Sequence, residues 1–533
     1  MKTAYNFFLR YQKIIFLVLA AITGFLILLP LHNFQAPLAQ GDHGRDLYAF
    51  KQTLDGATPY KDYWWVYGPL MPYYYALCYK FLGISIQSVL AGELLLKIGA
   101  GIFFYLCLSQ FSSPVFALLG ACWFILFQPD FFHTYNHAGA ILSLLMIIYF
   151  LFLYLRDPKK KYLFGIFAGN FLIFFIKINT GLYALCASAL SLALIDWVKK
   201  NKFNKKVYSG MLIFLPVSAC LLLWFFFLKG LSIYEIRQCF PLLSVDRPYN
   251  TPLIPVFLIF LRLQLLSLLL NQTNALIALL ALTLGVMFFI KKSSCWICKK
   301  DLVLALCCSG FFILTTLHEF LATGVSYNLF WVKPLQNLFL FLAIGAGVQK
   351  LVKPLQTLLV SVLFAIVCIF SFNYHMSINT FKTPYHFFDI GKTKIYIENP
   401  FGWILTVKKT TQYLTDHLQA NETFLALPYE PLYYFLAGKP SPTRQLIFFD
   451  HINIPTEQEE KIVNELEKNK INYVLISSRQ KTTEHGLGTF GKTYCPVLAA
   501  HIEQHFSVVA TFGDWTGDPT KILHHGIKIL KRK

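Results

Sequence analysis

Ala138-Gly-Ala-Ile-Leu-Ser-Leu-Leu-Met-Ile-Ile-Tyr-Phe-Leu-Phe-Leu-Tyr-Leu155 runs without a charge and is followed at once by Arg156, Lys159, Lys160 and Lys161. An apolar stretch of about 20 residues is what a helix needs to cross the hydrocarbon of a bilayer. A basic cluster at its end marks the cytoplasmic side. The same pairing of run and cluster recurs along the chain, with Lys199, Lys200, Lys202, Lys205 and Lys206 after one run and Lys291, Lys292, Lys299 and Lys300 after another.

Working outward, apolar runs fall near 14–30, 87–108, 114–129, 138–155, 163–176, 181–197, 209–228, 274–290, 302–317, 328–348 and 354–372. They predict a polytopic α-helical membrane protein with about 11 transmembrane helices and a C-terminal extracytoplasmic α/β domain. Residues 1–372 form the membrane domain, with an external first loop at 31–86, and 373–533 form the soluble domain. Lys2, Arg10 and Lys13 ahead of the first run read as an uncleaved first helix entering from the cytoplasm. The stretch 253–272 carries Arg262 and Gln264, and chain parity lays it along the interface or as a re-entrant hairpin. Every basic cluster then lands inside. The loops at 31–86, 130–137, 229–252 and 318–333 land outside with the tail.

Composition agrees. The 533 residues are 56% hydrophobic and 17% aromatic but only 14% charged, where soluble chains carry about 25%. Lys and Arg number 47 against 27 Asp and Glu, a formal charge of +20. Because the basic residues sit in short clusters between apolar runs, the excess reports orientation, and no nucleic-acid partner is expected. The cysteines lie mostly within apolar runs and read as small core side chains. Cys295 and Cys298 form the one spaced pair, and a zinc site would need a second ligand pair in reach.

In the tail, Thr423–Leu427 and Tyr473–Ile476 read as buried strands, and 494–505 followed by 506–511 as a helix and a strand. Thr456-Glu-Gln-Glu459 reads as a capping box opening a helix to about Asn469.

Chemistry concentrates in the first outside loop, Gln40-Gly-Asp42-His43-Gly-Arg45-Asp46-Leu-Tyr48, continued by Leu54-Asp-Gly56-Ala-Thr-Pro59-Tyr60-Lys61-Asp62-Tyr63-Trp-Trp-Val-Tyr67-Gly68-Pro69. Asp42 and Asp46 are four apart and share a face on a helix, with Arg45 between them. One reading makes Asp42 a helix N-cap and Arg45–Asp46 a solvated ion pair. The other makes Asp42 a base. Tyr60, Tyr63, Trp64, Trp65, Tyr67, Tyr73, Tyr74 and Tyr75 read mostly as interface anchors, some of which could stack on a sugar. Glu93 and Lys97 read as an i,i+4 pair that neutralises itself within a span. His133 and His137 read as capping or rim contacts.

These segments resemble the C-type glycosyltransferase superfamily, and more closely the bacterial relatives of protein O-mannosyltransferases and lipid A aminoarabinose transferase. The resemblance rests on Asp42-His-Gly-Arg-Asp-Leu-Tyr with Leu-Asp-Gly-Ala-Thr-Pro-Tyr-Lys-Asp and Tyr-Gly-Pro. It rests also on Phe175-Ile-Lys177-Ile-Asn179-Thr180-Gly181 and on Leu427-Pro-Tyr-Glu-Pro-Leu-Tyr-Tyr-Phe-Leu-Ala-Gly438. It implies an inverting membrane glycosyltransferase that moves a sugar from a polyprenyl-phosphate donor to an envelope glycan, lipid or protein acceptor. The site would face the outer side of the bacterial cytoplasmic (inner) membrane. The alternative is a transporter or flippase for a lipid-linked sugar, for which the expected internal repeat is lacking.

Such a reaction needs a carboxylate to take the acceptor proton and a fixed cation for the departing phosphate. The resemblance puts the catalytic acid at Asp42, with Asp46 second. Lys177, Arg45, Arg237 and Arg247 are the candidates for donor phosphate. Lys61, Tyr67, His318, Glu319 and Lys333 are candidates for the substrate pocket. His43 stands where relatives often carry an acid, so no obligatory divalent metal is expected.

Overall fold

The computed structural model describes residues 2–31, 40–127, 135–199, parts of 217–235, 300–316, 332–379, 385–390, 393–398, 403–481, 487–515 and 525–533. The N-terminal part is helical. In order come α1 (Lys2–Leu31), α2 (Gln40–Leu54), α3 (Leu70–Leu82), α4 (Ile86–Leu108), α5 (Pro114–Leu126), α6 (Asn136–Arg156), α7 (Lys160–Ile176) and α8 (Ile178–Lys199). They are followed by α9 (Lys300–Thr316), α10 (Lys333–Val348) and α11 (Lys353–Asn379). Local chemistry places several ends. Ser85 and Ser113 sit at the N-caps of α4 and α5, accepting from Ser88 N and Phe116 N at 3.2 and 3.3 Å. Gly56, at φ 97°, follows α2 in a conformation that side chains resist.

Helices α4, α6, α8 and α11 contain stretches long and apolar enough to cross a membrane. The parts Ile14–Leu26, Pro114–Leu126 and Lys333–Val348 are apolar but shorter, as are the 17-residue α7 and α9. The described residues therefore hold four helices long and apolar enough to span, where about eleven spans were expected. Of the missing candidates, 274–290 lies outside the described residues, as does most of 209–228.

Helix α6 packs between α4 and α7, and α8 lies against α7 and α9. Three contacts fix which ends share a side. Lys199 Nζ pairs with Asp301 Oδ1, joining the end of α8 to the start of α9. Arg156 Nη1 donates to Gln110 Oε1 at 3.1 Å, joining the ends of α6 and α4. Gln349 Nε2 donates to Phe111 O at 3.0 Å and brings the end of α10 to that same side. The basic ends thus gather at one pole of the bundle. The α7–α8 junction and the start of α6 lie at the other.

A hairpin, β1 (Tyr385–Ile390) and β2 (Thr393–Glu398), precedes the C-terminal unit. That unit comprises α12 (Trp403–His417), β3 (Phe424–Leu427), α13 (Leu432–Ala437), α14 (Thr456–Lys468), β4 (Tyr473–Ser477), α15 (Pro496–His505), β5 (Phe506–Gly513) and β6 (Gly526–Arg532). The sheet order is β3-β4-β6-β5, with β3 and β4 parallel and the other pairs antiparallel. Both parallel strands are buried along their whole length, as strands covered on two faces must be. The expected strands and helices are all present here.

The capping box is not. Helix α14 starts at Thr456, but no side chain caps it. Glu459 turns instead to α15, where its Oε2 accepts from Val497 N and Leu498 N at 2.9 and 3.1 Å. The carboxylate satisfies the free donors of a neighbouring helix in preference to its own.

Candidate active site

Helix α2 lies at the pole opposite the basic ends, pressed between the membrane helices and the C-terminal unit. Its spacing does what the sequence predicts. Asp42, Arg45 and Asp46 meet on one face, with Arg45 Nη1 3.1 Å from Asp42 Oδ1 and Arg45 Nη2 2.7 Å from Asp46 Oδ1. The two carboxylates differ sharply. Asp46 is fully buried, its Oδ1 also accepting from Arg45 Nε at 2.9 Å and its Oδ2 from Tyr135 N at 3.0 Å. Asp46 therefore ties α2 to the start of α6, and both of its oxygens are occupied. Asp42 keeps 34% of its side chain exposed. Its two hydrogen bonds, from Arg45 and from the hydroxyl of Tyr429 at 2.8 Å, both end on Oδ1.

This corrects the solvated ion pair expected for Arg45 and Asp46, since both are buried. The N-cap reading of Asp42 also fails, because its carboxylate serves side chains and not the free N–H groups of α2. Burial pushes the Asp46 carboxyl up, against the pull of Arg45. Burial would lower Arg45, but Asp46, Tyr429, Tyr67 and Asp42 outweigh it and hold the guanidinium charged.

The Arg45 guanidinium lies over the rings of Tyr67, 5.0 Å from its centroid, and Trp65, at 5.5 Å. Lys177 Nζ approaches the same Tyr67 ring at 5.5 Å. Two cations therefore meet on one aromatic residue, within the range where the ring quadrupole attracts them. Lys177 is buried and breaks the path from α7 to α8 in an extended conformation. Gly68 secures that approach. Its N–H donates to Ile176 O at 3.0 Å, and a Cβ there would stand 2.1 Å from Phe175 O. The structure thus brings together Asp42, Arg45, Asp46, Tyr67 and Lys177 from segments far apart in the chain.

Other candidates do not join them. Lys61 is exposed on the loop, and Lys333 is exposed at the start of α10. Arg237, Arg247, His318 and Glu319 lie outside the described residues, as do His133, Cys295, Cys298 and the stretch 253–272. His43 is buried and stacks on Tyr135 at 4.7 Å. Most of the expected aromatic anchors turn out to be the interior of the loop. Tyr60, Tyr63, Trp64, Trp65 and Tyr75 are buried, and Phe50 stacks on Tyr75 at 4.5 Å. Tyr73 is an exception at 40% exposure.

Two participants were missed from sequence. The backbone N–H of Tyr135 leaves no trace in residue type. Tyr429 stood inside a quoted motif, but only its place in the fold reveals that its hydroxyl reaches Asp42.

No family model matches the chain, and no curated protein matches it. Solved structures do. ArnT from Cupriavidus metallidurans, bound to undecaprenyl phosphate, aligns over 97% of this chain and 97% of its own at 11% identity, with a TM-score of 0.54. The Archaeoglobus fulgidus oligosaccharyltransferase, in a complex with zinc and sulfate, aligns over 94% of this chain and 72% of its own at 12% identity, with a TM-score of 0.53. Both are C-type glycosyltransferases, and this chain shares their fold.

Proposed function

We propose that the chain is an inverting membrane glycosyltransferase with Asp42 as its general base. The observation that carries this reading is the asymmetry of the two aspartates. Asp46 has both oxygens bonded and no exposure, whereas Asp42 has Oδ2 without a hydrogen bond among the described residues and a partly open side chain. A base must present a lone pair to its substrate. In the reaction, the acceptor hydroxyl gives its proton to Asp42 Oδ2 as its oxygen bonds to the anomeric carbon. The bond from that carbon to the phosphate oxygen breaks, and its electron pair leaves with the lipid phosphate. One displacement inverts the anomeric centre.

The departing phosphate gains charge and needs a fixed cation nearby. The candidates are Lys177, buried beside the Tyr67 ring, and Arg45, which meets the same ring and gives most of its donors to Asp42, Asp46 and Tyr429. The donor is a polyprenyl-phosphate-linked hexose or pentose, a reading that the undecaprenyl phosphate bound to the ArnT neighbour supports. The acceptor is an envelope glycan, lipid or protein at the outer face of the cytoplasmic membrane, and no divalent metal is required. Lys61, Tyr67 and Lys333 remain candidates for pocket contacts.

The test is Asp42→Asn in the full chain in nanodiscs. It is supplied with radiolabelled undecaprenyl-phosphate hexoses and pentoses and an envelope extract. Transfer of label should fall about 10²- to 10⁴-fold, the usual worth of a positioned base. Wild-type transfer by that variant at equal protein level would return Asp42 to a structural role.

A further inference from the structure

We infer that the C-terminal domain completes the base, with Tyr429 as a positioning residue that decides which oxygen of Asp42 meets the acceptor. This rests on the proposed role of Asp42.

Tyr429 follows β3 and lies 387 residues from Asp42 in the chain. Its buried hydroxyl accepts from Arg45 Nη1 at 3.1 Å and donates to Asp42 Oδ1 at 2.8 Å. Helix α2 is shaped to receive it. A Cβ on residue 41 would stand 2.4 Å from the Tyr429 ring, and one on residue 44 would stand 2.5 Å from Leu432 N. Glycine at both positions lets the backbone of α2 meet the segment from Tyr429 into α13 directly.

The docking itself has other means. Ser441 N donates to Tyr48 Oη at 2.8 Å, Trp64 N donates to Arg444 O at 2.9 Å, and Phe435 stacks on Tyr79 at 6.2 Å. The Tyr429 hydroxyl is therefore not needed to hold the two parts together, and it is spent on the carboxylate. A carboxylate torsion is broad and roughly two-fold. Two donors converging on Oδ1 from different parts of the chain fix it, leaving Oδ2 outward. With Arg45 alone, the group can turn. The charged or titratable groups around Asp42 are Arg45 and Asp46 on its own helix and Tyr429 from the C-terminal domain, with Tyr67 and Lys177 beyond Arg45.

The experiment compares wild type, Tyr429→Phe, Tyr48→Phe and Asp42→Asn, each as the full chain in nanodiscs. The readouts are kcat and the donor KM of label transfer from the undecaprenyl-phosphate sugar panel. Tyr429→Phe removes one of the two donors that fix the Asp42 torsion. The kcat should fall about tenfold, the worth of one such hydrogen bond, with the donor KM unchanged. Tyr48→Phe also removes a contact between the domains but should leave kcat in place. An unchanged kcat in Tyr429→Phe, or an equal fall in Tyr48→Phe, overturns the positioning role. Loss of transfer in Asp42→Asn with a wild-type kcat in Tyr429→Phe defeats this inference alone, whereas full transfer in Asp42→Asn defeats the base assignment as well.

Discussion

Helices α2 and α4 each bury acid beside base, and they do so to different ends. In α4, Glu93 Oε1 and Lys97 Nζ lie 3.2 Å apart, one turn along the same helix, with side-chain exposures of 9% and 5%. The pair is local and was evident from spacing alone. In α2, Arg45 sits between two aspartates, and the cluster also draws on Tyr135, Tyr67 and Tyr429 from three other segments. A buried pair can be exchanged for apolar side chains at little cost when its only task is neutrality. A cluster that draws partners from across the fold and still leaves one oxygen outward is organised around that oxygen. Burial of charge alone does not mark a site. Incomplete satisfaction within an otherwise saturated network does.

The largest effect expected from this contrast is that of Arg45→Met. It leaves the fully buried Asp46 without its counter-ion and frees Asp42 of one partner. Removing one member of a buried ion pair costs about 3–5 kcal/mol. The denaturant midpoint in detergent should fall accordingly, and label transfer should be lost with it. A variant as stable and active as wild type would reduce the α2 cluster to the rank of the α4 pair.

Glu430 offers a sharper comparison, as a fully buried carboxyl in the C-terminal unit. Burial pushes it up to about 7, against the pull of the Arg479 guanidinium. An ordinary glutamate releases its proton near 4.5. Between those values the folded chain holds a proton that the unfolded chain has lost. The contribution is fully present below pH 4.5 and is lost as pH rises through about 7, at up to roughly 1.4 kcal/mol per unit. Glu430→Gln should flatten the decline in the unfolding midpoint from pH 4.5 to 7. An unchanged slope in the variant would show that other groups set it.

The legibility of the molecule follows the range of the interactions. Helix α6 could be read because hydropathy is a property of one continuous stretch, and the Asp42, Arg45 and Asp46 face because a helix repeats within a turn. Lys177 was legible from its place in a short junction motif. The partners that distinguish the two aspartates were not. One is a backbone N–H at Tyr135, and the other is a hydroxyl delivered by a domain at the far end of the chain. Glu459 misled for the same reason, since the donors it satisfies belong to a helix that sequence places elsewhere. The aromatic loop misled in another way. Amphipathic rings suit an interface and a core alike, and only packing decides between them.

The smallest effect should come from the α4 pair, and its smallness is what gives the comparison content. Lys97→Met alone leaves the buried Glu93 carboxylate without its counter-ion and should destabilise the chain strongly. The double variant Glu93→Met/Lys97→Met removes both charges and puts apolar side chains of comparable volume in their place, so neither leaves an orphan. Such replacements are often neutral or stabilising by about 1–4 kcal/mol. The double variant should therefore unfold at or above the wild-type midpoint and keep its transfer rate within about twofold, a range set by the small energies of neutral exchange. If transfer collapsed while the midpoint held, the α4 pair would share in the chemistry, and the outward oxygen of Asp42 would no longer separate a site from a structural charge.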